Sequence, residues 1–333
     1  MASSTLSVAS TSPDYDGDRK PDIVVSAGTN PGSQLTLLHG LGNGTFADFL
    51  PIADVTGDFV IAADFNNDAN SDVLVVPSNS GKMYTILGNG DGTFQSPLSS
   101  SVAGGELEAA LGDFNSDGNI DVVLAAPGSS QFLVLLGNGD GSFQAAISTH
   151  TGPSPRSPTV ADFNLDGNPD LAILSSSRQG STFGIYLGHG DGTFDPPLST
   201  GYFNPQDAAA GDLNHDGKPD LVVGGDGLQV FLGNGDGTFG SPETVYSSYG
   251  PMKIGDIDRD GRLDLALSAN FSDFVVRQGQ GDGTFRQAVE FPTNNSFIFN
   301  IVLRDLNGDK TPEAILGPSY QNLIILLNTS RHK

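Results

Sequence analysis

A nine-residue acidic segment recurs seven times along this chain at an almost constant interval, and it constrains the fold more than any other feature. Its copies begin at Asp14 (DYDGDRKPD), Asp64 (DFNNDANSD), Asp113 (DFNSDGNID), Asp162 (DFNLDGNPD), Asp212 (DLNHDGKPD), Asp256 (DIDRDGRLD) and Asp305 (DLNGDKTPE), with spacings of 50, 49, 49, 50, 44 and 49 residues. A second motif, LGNGDGTF or a close variant, trails each of the first six copies, at Leu41, Leu87, Leu136, Leu187, Leu232 and Gln278. Two motifs interlocked in one register mean that a single supersecondary unit is repeated. A repeat overrides the two-domain prior that 333 residues would suggest.

Each unit reads as four strands. The first precedes the acidic loop and is built from small residues, as in Ala208-Ala209-Ala210-Gly211 and Ile61-Ala62-Ala63. The second follows the loop directly (Asp121-Val122-Val123-Leu124), the third enters the glycine motif (Phe132-Leu133-Val134-Leu135-Leu136), and the fourth leaves through the motif's Phe. No segment of useful length has helical periodicity. A four-stranded unit with a period in the forties is the size of a propeller blade. The predicted fold is therefore all-β, a seven-bladed β-propeller of four-stranded antiparallel blades forming one domain over residues 1–333. Small residues suit innermost strands, which crowd around a channel. Phe46, Phe94, Phe143, Phe194, Phe239 and Phe285, one per unit, are predicted to pack between neighbouring blades. The last unit ends six residues after Leu323-Ile324-Ile325-Leu326-Leu327, and residues 5–10 are needed as the first strand of blade one. The last blade is thus expected to have three strands, or a weak closure using residues 1–4.

Within the acidic segment, oxygen-bearing side chains occupy positions 1, 3, 5 and 9 of every copy, and position 6 is Gly in four of the seven. Calcium takes six to eight oxygens, and alternate residues of a tight loop can aim theirs at one centre. The side-chain ligands expected are Asp14, Asp16, Asp18 and Asp22; Asp64, Asn66, Asp68 and Asp72; Asp113, Asn115, Asp117 and Asp121; Asp162, Asn164, Asp166 and Asp170; Asp212, Asn214, Asp216 and Asp220; Asp256, Asp258, Asp260 and Asp264; and Asp305, Asn307, Asp309 and Glu313. Position 7 adds a backbone carbonyl, from Lys20, Asn70, Asn119, Asn168, Lys218, Arg262 or Thr311. The expected cofactor is Ca²⁺, up to seven ions, one per blade. Zinc or copper would want His or Cys, which these loops lack apart from an outward His215. An EF-hand needs an acid at position 12 and flanking helices, whereas here position 12 is apolar or small, as at Leu124 and Ile173. Asp/Asn-rich turns need only one or two such residues, not four in fixed register. Arg19, Ala69 and Lys310 replace Gly at position 6 of the first, second and last copies, and the last ends in Glu313.

The D-x-[DN]-x-D-G-x-x-D loop, followed by an apolar strand and LGNGDGTF, resembles the FG-GAP or VCBS repeats of bacterial surface proteins and of integrin α-subunit propellers. The resemblance covers essentially the whole chain. It implies loop-bound Ca²⁺ on one face and ligand contacts from loops of the opposite face. Segments that vary between repeats offer Tyr202, Phe203, Tyr246, Tyr249, Arg156 and Arg178 as candidate ligand contacts, since aromatics with polar neighbours suit sugar or protein binding.

Composition narrows the function. With 39 acidic and 15 basic residues the formal charge is −24, which repels nucleic acid and anionic membranes. The loops hold 23 of those acids, and seven Ca²⁺ would bring the charge to about −10. No apolar run is long enough to span a bilayer. Residues 1–4 have neither a basic start nor an apolar stretch behind them, and read as a processed or engineered start rather than a signal peptide. GNGDG lacks the Lys-Ser/Thr of a phosphate loop, and its Asn-Gly and Asp-Gly steps favour a hairpin turn. The first copy, LGNGTF, lacks two residues, which predicts a shorter turn. Of the five histidines, neither His189 nor His215 joins a constellation, and no serine sits in a nucleophile elbow. These readings point to a monomeric, non-catalytic, extracellular or cell-surface adhesion module with a protein or carbohydrate ligand, where millimolar calcium would fill weak sites. Two other readings are a polysaccharide lyase or hydrolase on a propeller scaffold, and a purely structural part of a larger surface protein.

Overall fold

The computed structural model describes residues 6–8, 13–27, 34–102, 108–177, 180–200, 205–248, 250–269, 273–293, 297–318 and 323–329. Among them there is no helix, and the strands form seven separate antiparallel sheets of three or four strands, one per repeat. This is a seven-bladed β-propeller.

The first blade shows how a repeat becomes a sheet. Leu6–Val8, Ile23–Ala27, Leu35–Gly40 and Phe46–Ala53 pair in chain order, each antiparallel to the next. The acidic segment connects its first and second strands, and the glycine motif its third and fourth. Second strands such as Asp72–Val76 and Asp121–Ala125 are buried at every residue, which is why they read as unbroken apolar runs without alternation. Fourth strands such as Leu98–Ser101 are largely exposed and polar.

The sheets belong to two compact units, one of Met1–Gly104, Gly137–Phe143 and Ser296–Lys333, the other of Gly105–Leu136 and Gln144–Asn295. In the first, Tyr15, Val24, Leu37, Val60, Val73 and Ile86 form one core cluster, and Val8, Ile23, Leu306 and Ile315 another. In the second, first strands lie against one another in sequence, Glu108–Gly112 against Pro155–Ala161, then Asp207–Gly211, then Met252–Gly255. Ala110, Ala161 and Ala210 on these strands accept that crowding because their side chains are short.

The recurring Phe packs where it was predicted to. Phe94 meets Tyr15 at 5.4 Å between ring centres, Phe143 meets Phe65 at 5.9 Å, Phe194 meets Phe114 at 5.9 Å and Phe239 meets Phe163 at 5.7 Å. Each partner is position 2 of the preceding repeat's acidic loop. A backbone bond accompanies the contact: the last Gly of each glycine motif donates its N–H to the carbonyl of that same position 2. Gly92 donates to Tyr15, Gly141 to Phe65, Gly192 to Phe114, Gly237 to Phe163, Gly283 to Leu213 and Gly44 to Leu306, at 2.8–3.3 Å. The two sequence motifs are interlocked because they touch.

Three details bear on the sequence reading. The last sheet has three strands, Ile298–Arg304, Glu313–Pro318 and Ile324–Leu326, as expected. The fifth sheet also has three, because Asp220–Phe231 is continuous: Gly224 pairs with Asp207 on one side and Gly225 with Ser248 on the other. The first glycine turn is not short. Gly40 takes the place of Gly88, so Leu41 donates to Thr45 at 2.9 Å as Asn89 does to Thr93 at 2.9 Å. Gly42 and Gly44 have φ of 72° and 79°, against 74° and 81° at Gly90 and Gly92. The motif of the first blade thus begins at His39-Gly40, two residues earlier than its Leu-Gly step suggests, and its length is normal.

Candidate metal centres in the acidic loops

All seven acidic loops share one backbone. Position 6 has positive φ in every copy: 67° at Arg19, 67° at Ala69, 83° at Gly118, 90° at Gly167, 81° at Gly217, 83° at Gly261 and 73° at Lys310. Position 4 does the same, from 58° at Ser116 to 80° at Gly17 and Gly308. Glycine is preferred at position 6 because this left-handed region strains L-residues. The three copies without it keep the conformation and bear the strain.

Two anchors fix each loop. The side chain at position 2 is buried in six copies, as at Phe65, Phe114, Phe163 and Leu213, and half-buried at Ile257. The carboxylate at position 9 is at most 1 % exposed in all seven copies. One of its oxygens accepts the N–H of position 2 at 2.7–2.9 Å throughout. In Asp22, Asp72, Asp170, Asp220 and Asp264 the other accepts the N–H of a glycine, Gly40, Gly88, Gly188, Gly233 or Gly279, at 2.8–2.9 Å. Position 9 therefore ties loop to hairpin within one blade. Burial pushes its carboxyl up, to about 6 at Asp72 and in the same direction at Asp22, Asp170, Asp220, Asp264 and Glu313.

The remaining oxygens are organised around the loop interior. The position 1 carboxylate accepts the N–H of position 6 at 2.6–3.0 Å in every copy. The position 5 carboxylate accepts the N–H of position 7 at 2.8–3.0 Å. That backbone bond is the main cause holding Asp68, Asp117 and Asp166 below the usual carboxylate range, and Lys20 does the same for Asp18 through its side chain. Ligand oxygens of Asp14, Asp16 and Asp18 lie within 4.8 Å of one another, as do those of Asp256, Asp258 and Asp260. A carboxylate oxygen that accepts a single N–H retains a lone pair for a cation. An all-oxygen donor set gathered this closely, with ionised carboxylates, fits a hard cation.

A family profile described as FG-GAP-like repeat matches residues 14–75, 64–124, 113–173, 166–223, 212–267 and 256–316, which takes in most of the chain. The chain belongs to the FG-GAP-like repeat family. No curated protein matches it. Among solved structures, this FG-GAP propeller is similar to an Agrocybe aegerita lectin that recognises non-reducing terminal N-acetylglucosamine, at 21% identity and a TM-score of 0.66, over 89% of this chain and 82% of that one. It is also similar to BBS1N in complex with ARL6DN, at 13% identity and a TM-score of 0.61, over 96% and 92%. A protein from Lactobacillus plantarum is similar at 13% identity and a TM-score of 0.61, over 87% and 85%. At these identities the likeness concerns the fold.

The candidate ligand contacts fare unevenly. Tyr202, Phe203, Tyr249 and Arg178 lie outside the described residues, and of Tyr246 only the backbone is described, paired with Leu228. Arg156 is the second residue of Pro155–Ala161, the first strand of the fourth blade, at the end opposite its acidic loop, and its Nε is buried without a hydrogen-bond partner. Beside it is a polar network that sequence reading missed. Ser157 donates its N–H to Glu108 and its hydroxyl to Asp207 at 2.5 Å, and Asp207 accepts the N–H of Met252 at 2.8 Å. The network joins the first strands of blades three to six. Its available signal was a polar residue five positions before the acidic loop in Glu108, Ser157 and Asp207. The second residue missed is His39, whose Nδ1 lies 3.1 Å from Asp16 Oδ2.

Proposed function

We propose that this FG-GAP propeller is an extracellular, calcium-binding, non-catalytic module that recognises a protein or carbohydrate ligand. The observation that carries the calcium reading is the likeness of the seven loops: left-handed positions 4 and 6, the same three hydrogen bonds from positions 2, 6 and 7 to the carboxylates of positions 9, 1 and 5, and four oxygen-bearing positions, kept while the intervening residues vary. Ca²⁺ would be held by the side chains of positions 1, 3, 5 and 9 and the carbonyl of position 7, and would neutralise carboxylates that otherwise repel one another. The residues themselves pre-form the loop: position 9 seats it, position 2 fills the space between blades, and the αL residues turn the oxygens inward.

Two observations support a non-catalytic reading. The described histidines do not come together: His189 pairs with Asp195 at 3.1 Å, His215 is exposed at position 4, and His39 stands on the strand Leu35–Gly40 beside the first loop. The 23 acidic residues of the repeated segments stand within their own loops. Glycan and protein are the ligand classes to test, because a lectin and a propeller in a protein complex share this fold. Calorimetric titration of chelator-stripped protein with Ca²⁺ should show several exothermic or endothermic sites, and a glycan array with and without Ca²⁺ should show calcium-dependent retention. A flat titration with an unchanged melting temperature defeats the calcium reading, and turnover of acidic polysaccharides defeats the non-catalytic one.

A further inference from the structure

The residue at the end of the third strand packs against the last Gly of the next blade's turn wherever the next blade has that turn. A Cβ built on Gly141 would meet the Leu87 side chain at 2.7 Å, on Gly192 that of Leu136 at 3.1 Å, on Gly237 that of Leu187 at 2.9 Å, on Gly283 that of Leu232 at 2.7 Å and on Gly44 that of Leu327 at 2.5 Å. In the first blade this apolar slot holds His39, whose Cε1 lies 3.1 Å from the corresponding point on Gly92. A second change accompanies it. Where the slot holds Leu, position 3 of the same blade's acidic loop is Asn (Asn66, Asn115, Asn164, Asn214, Asn307). Where the slot is polar, position 3 is Asp, with His39 beside Asp16 and Gln278 beside Asp258.

The two polar pairs differ in kind. Gln278 donates its side-chain amide to Asp258 in a hydrogen bond. His39 Nδ1 is buried and makes no aligned hydrogen bond, although it lies 3.1 Å from Asp16 Oδ2 and 3.9 Å from Asp22 Oδ1. Ligand atoms of Asp16, Asp22 and His39 all fall within 4.8 Å of one another. A tetrahedral ion bound at about 2.0–2.2 Å by nitrogen and carboxylate oxygen sets its donors about 3.4 Å apart, and the two observed separations bracket that value. An imidazole nitrogen is a donor for zinc-like ions, whereas calcium takes oxygen.

We propose that the acidic loop of the first blade is a transition-metal site, taking Zn²⁺ or a similar borderline ion through His39 Nδ1, Asp16 and Asp22, while the other six loops are all-oxygen sites. The proposal rests on the reading of the acidic loops as cation sites, and narrows it for one of them. The Gly92 turn closes over the imidazole, so the site lies under the neighbouring blade's hairpin, and its remaining positions are open to Asp14, Asp18 or water.

The test uses Co²⁺ as a visible probe on the full chain with Ca²⁺ in excess, so that oxygen loops are filled first. The expected result is one equivalent of Co²⁺ with a d–d absorption band that Zn²⁺ abolishes. His39→Leu installs the residue used by five other blades and should fold; in it the band should vanish and Co²⁺ affinity fall more than about tenfold, with calcium uptake of the remaining loops unchanged. His39→Gln, which copies the sixth blade, should lose the band as well. An undiminished Co²⁺ spectrum in either variant, or no Co²⁺ uptake in excess Ca²⁺, overturns the proposal. Absence of calcium uptake with the His39-dependent band intact would instead overturn the calcium reading of the other loops, leaving this site standing.

Discussion

At the scale of the residue, the acidic loop is a backbone shape that the sequence fills with varying success. Position 6 needs a left-handed conformation, which costs an L-residue about 1–2 kcal/mol, while glycine surrenders about 0.5–1 kcal/mol of unfolded-state entropy to adopt it. Ala69 and Lys310 hold φ of 67° and 73° there. Ala69→Gly and Lys310→Gly should therefore stabilise the protein by about 0.5–1 kcal/mol each, seen as a higher urea midpoint at unchanged slope. The reverse change, Gly118→Ala, should destabilise it by a similar amount, and for conformational reasons alone, because a Cβ on Gly118 meets nothing within 4 Å. A lower midpoint in Ala69→Gly would show that the shared backbone is not the reason for glycine at this position. The three copies without glycine look like departures in the sequence, yet they are ordinary members in structure, because φ at one residue is set by the whole hydrogen-bonded loop.

At the scale of the element, neighbouring blades are joined by contacts one repeat apart. Phe114 is 1 % exposed, and its ring centre lies 5.9 Å from that of Phe194 in the next blade. Phe114→Ala should cost about 3–5 kcal/mol, measured by chemical denaturation, since it opens a cavity between two sheets. This contact was half legible: the Phe of the glycine motif stood out by its regular spacing, while its partner at position 2 varies among Tyr, Phe, Leu and Ile. The network of Glu108, Ser157 and Asp207 was hidden for a related reason, as its members stand about fifty residues apart and match no motif. The register of the first blade was misread because Leu41-Gly42-Asn43-Gly44 imitates the start of the motif; strand pairing places the start at His39-Gly40, and with it the imidazole beside Asp16. Asp207 also carries a pH signature. Burial raises its pKa, with Lys253 and its hydrogen bonds opposing. The folded state then binds the proton more tightly than the unfolded one, so this contribution to stability is complete below the unfolded pKa of about 3.9 and is lost as pH rises through the folded value. The stability of the wild type relative to Asp207→Asn should accordingly decline from pH 4 toward neutrality, the loops cancelling in the comparison. A difference that is flat or rises with pH would contradict a raised Asp207.

At the scale of the whole molecule, the decisive quantity is charge. The chain carries −24, and 23 of its 39 acidic residues sit in seven short loops, so the repulsion is local and repeated. Without cations each loop is held by its own N–H donors, its buried position 2 and its position 9 carboxylate, against carboxylates facing one another across a few ångströms. Two agents relieve that repulsion differently. Ca²⁺ bound as proposed would act inside the loop and would add about 2.7 kcal/mol per site at a hundredfold excess over its dissociation constant. Salt acts from outside, with a screening length of about 10 Å at 0.1 M. Chelation should therefore lower the melting temperature by more than about 5 °C at low salt. Raising NaCl from about 0.02 M to about 0.5 M should then recover part of that loss in the chelated protein while moving the calcium-loaded protein little, so that the gap narrows. The outcome separates two accounts of the repeat. If the gap is large and insensitive to salt, calcium acts mainly as a directional staple among oxygens already arranged for it. If the gap closes with salt, the loops are stable structures in themselves, and the ion serves chiefly to cancel the charge that their own ligands impose.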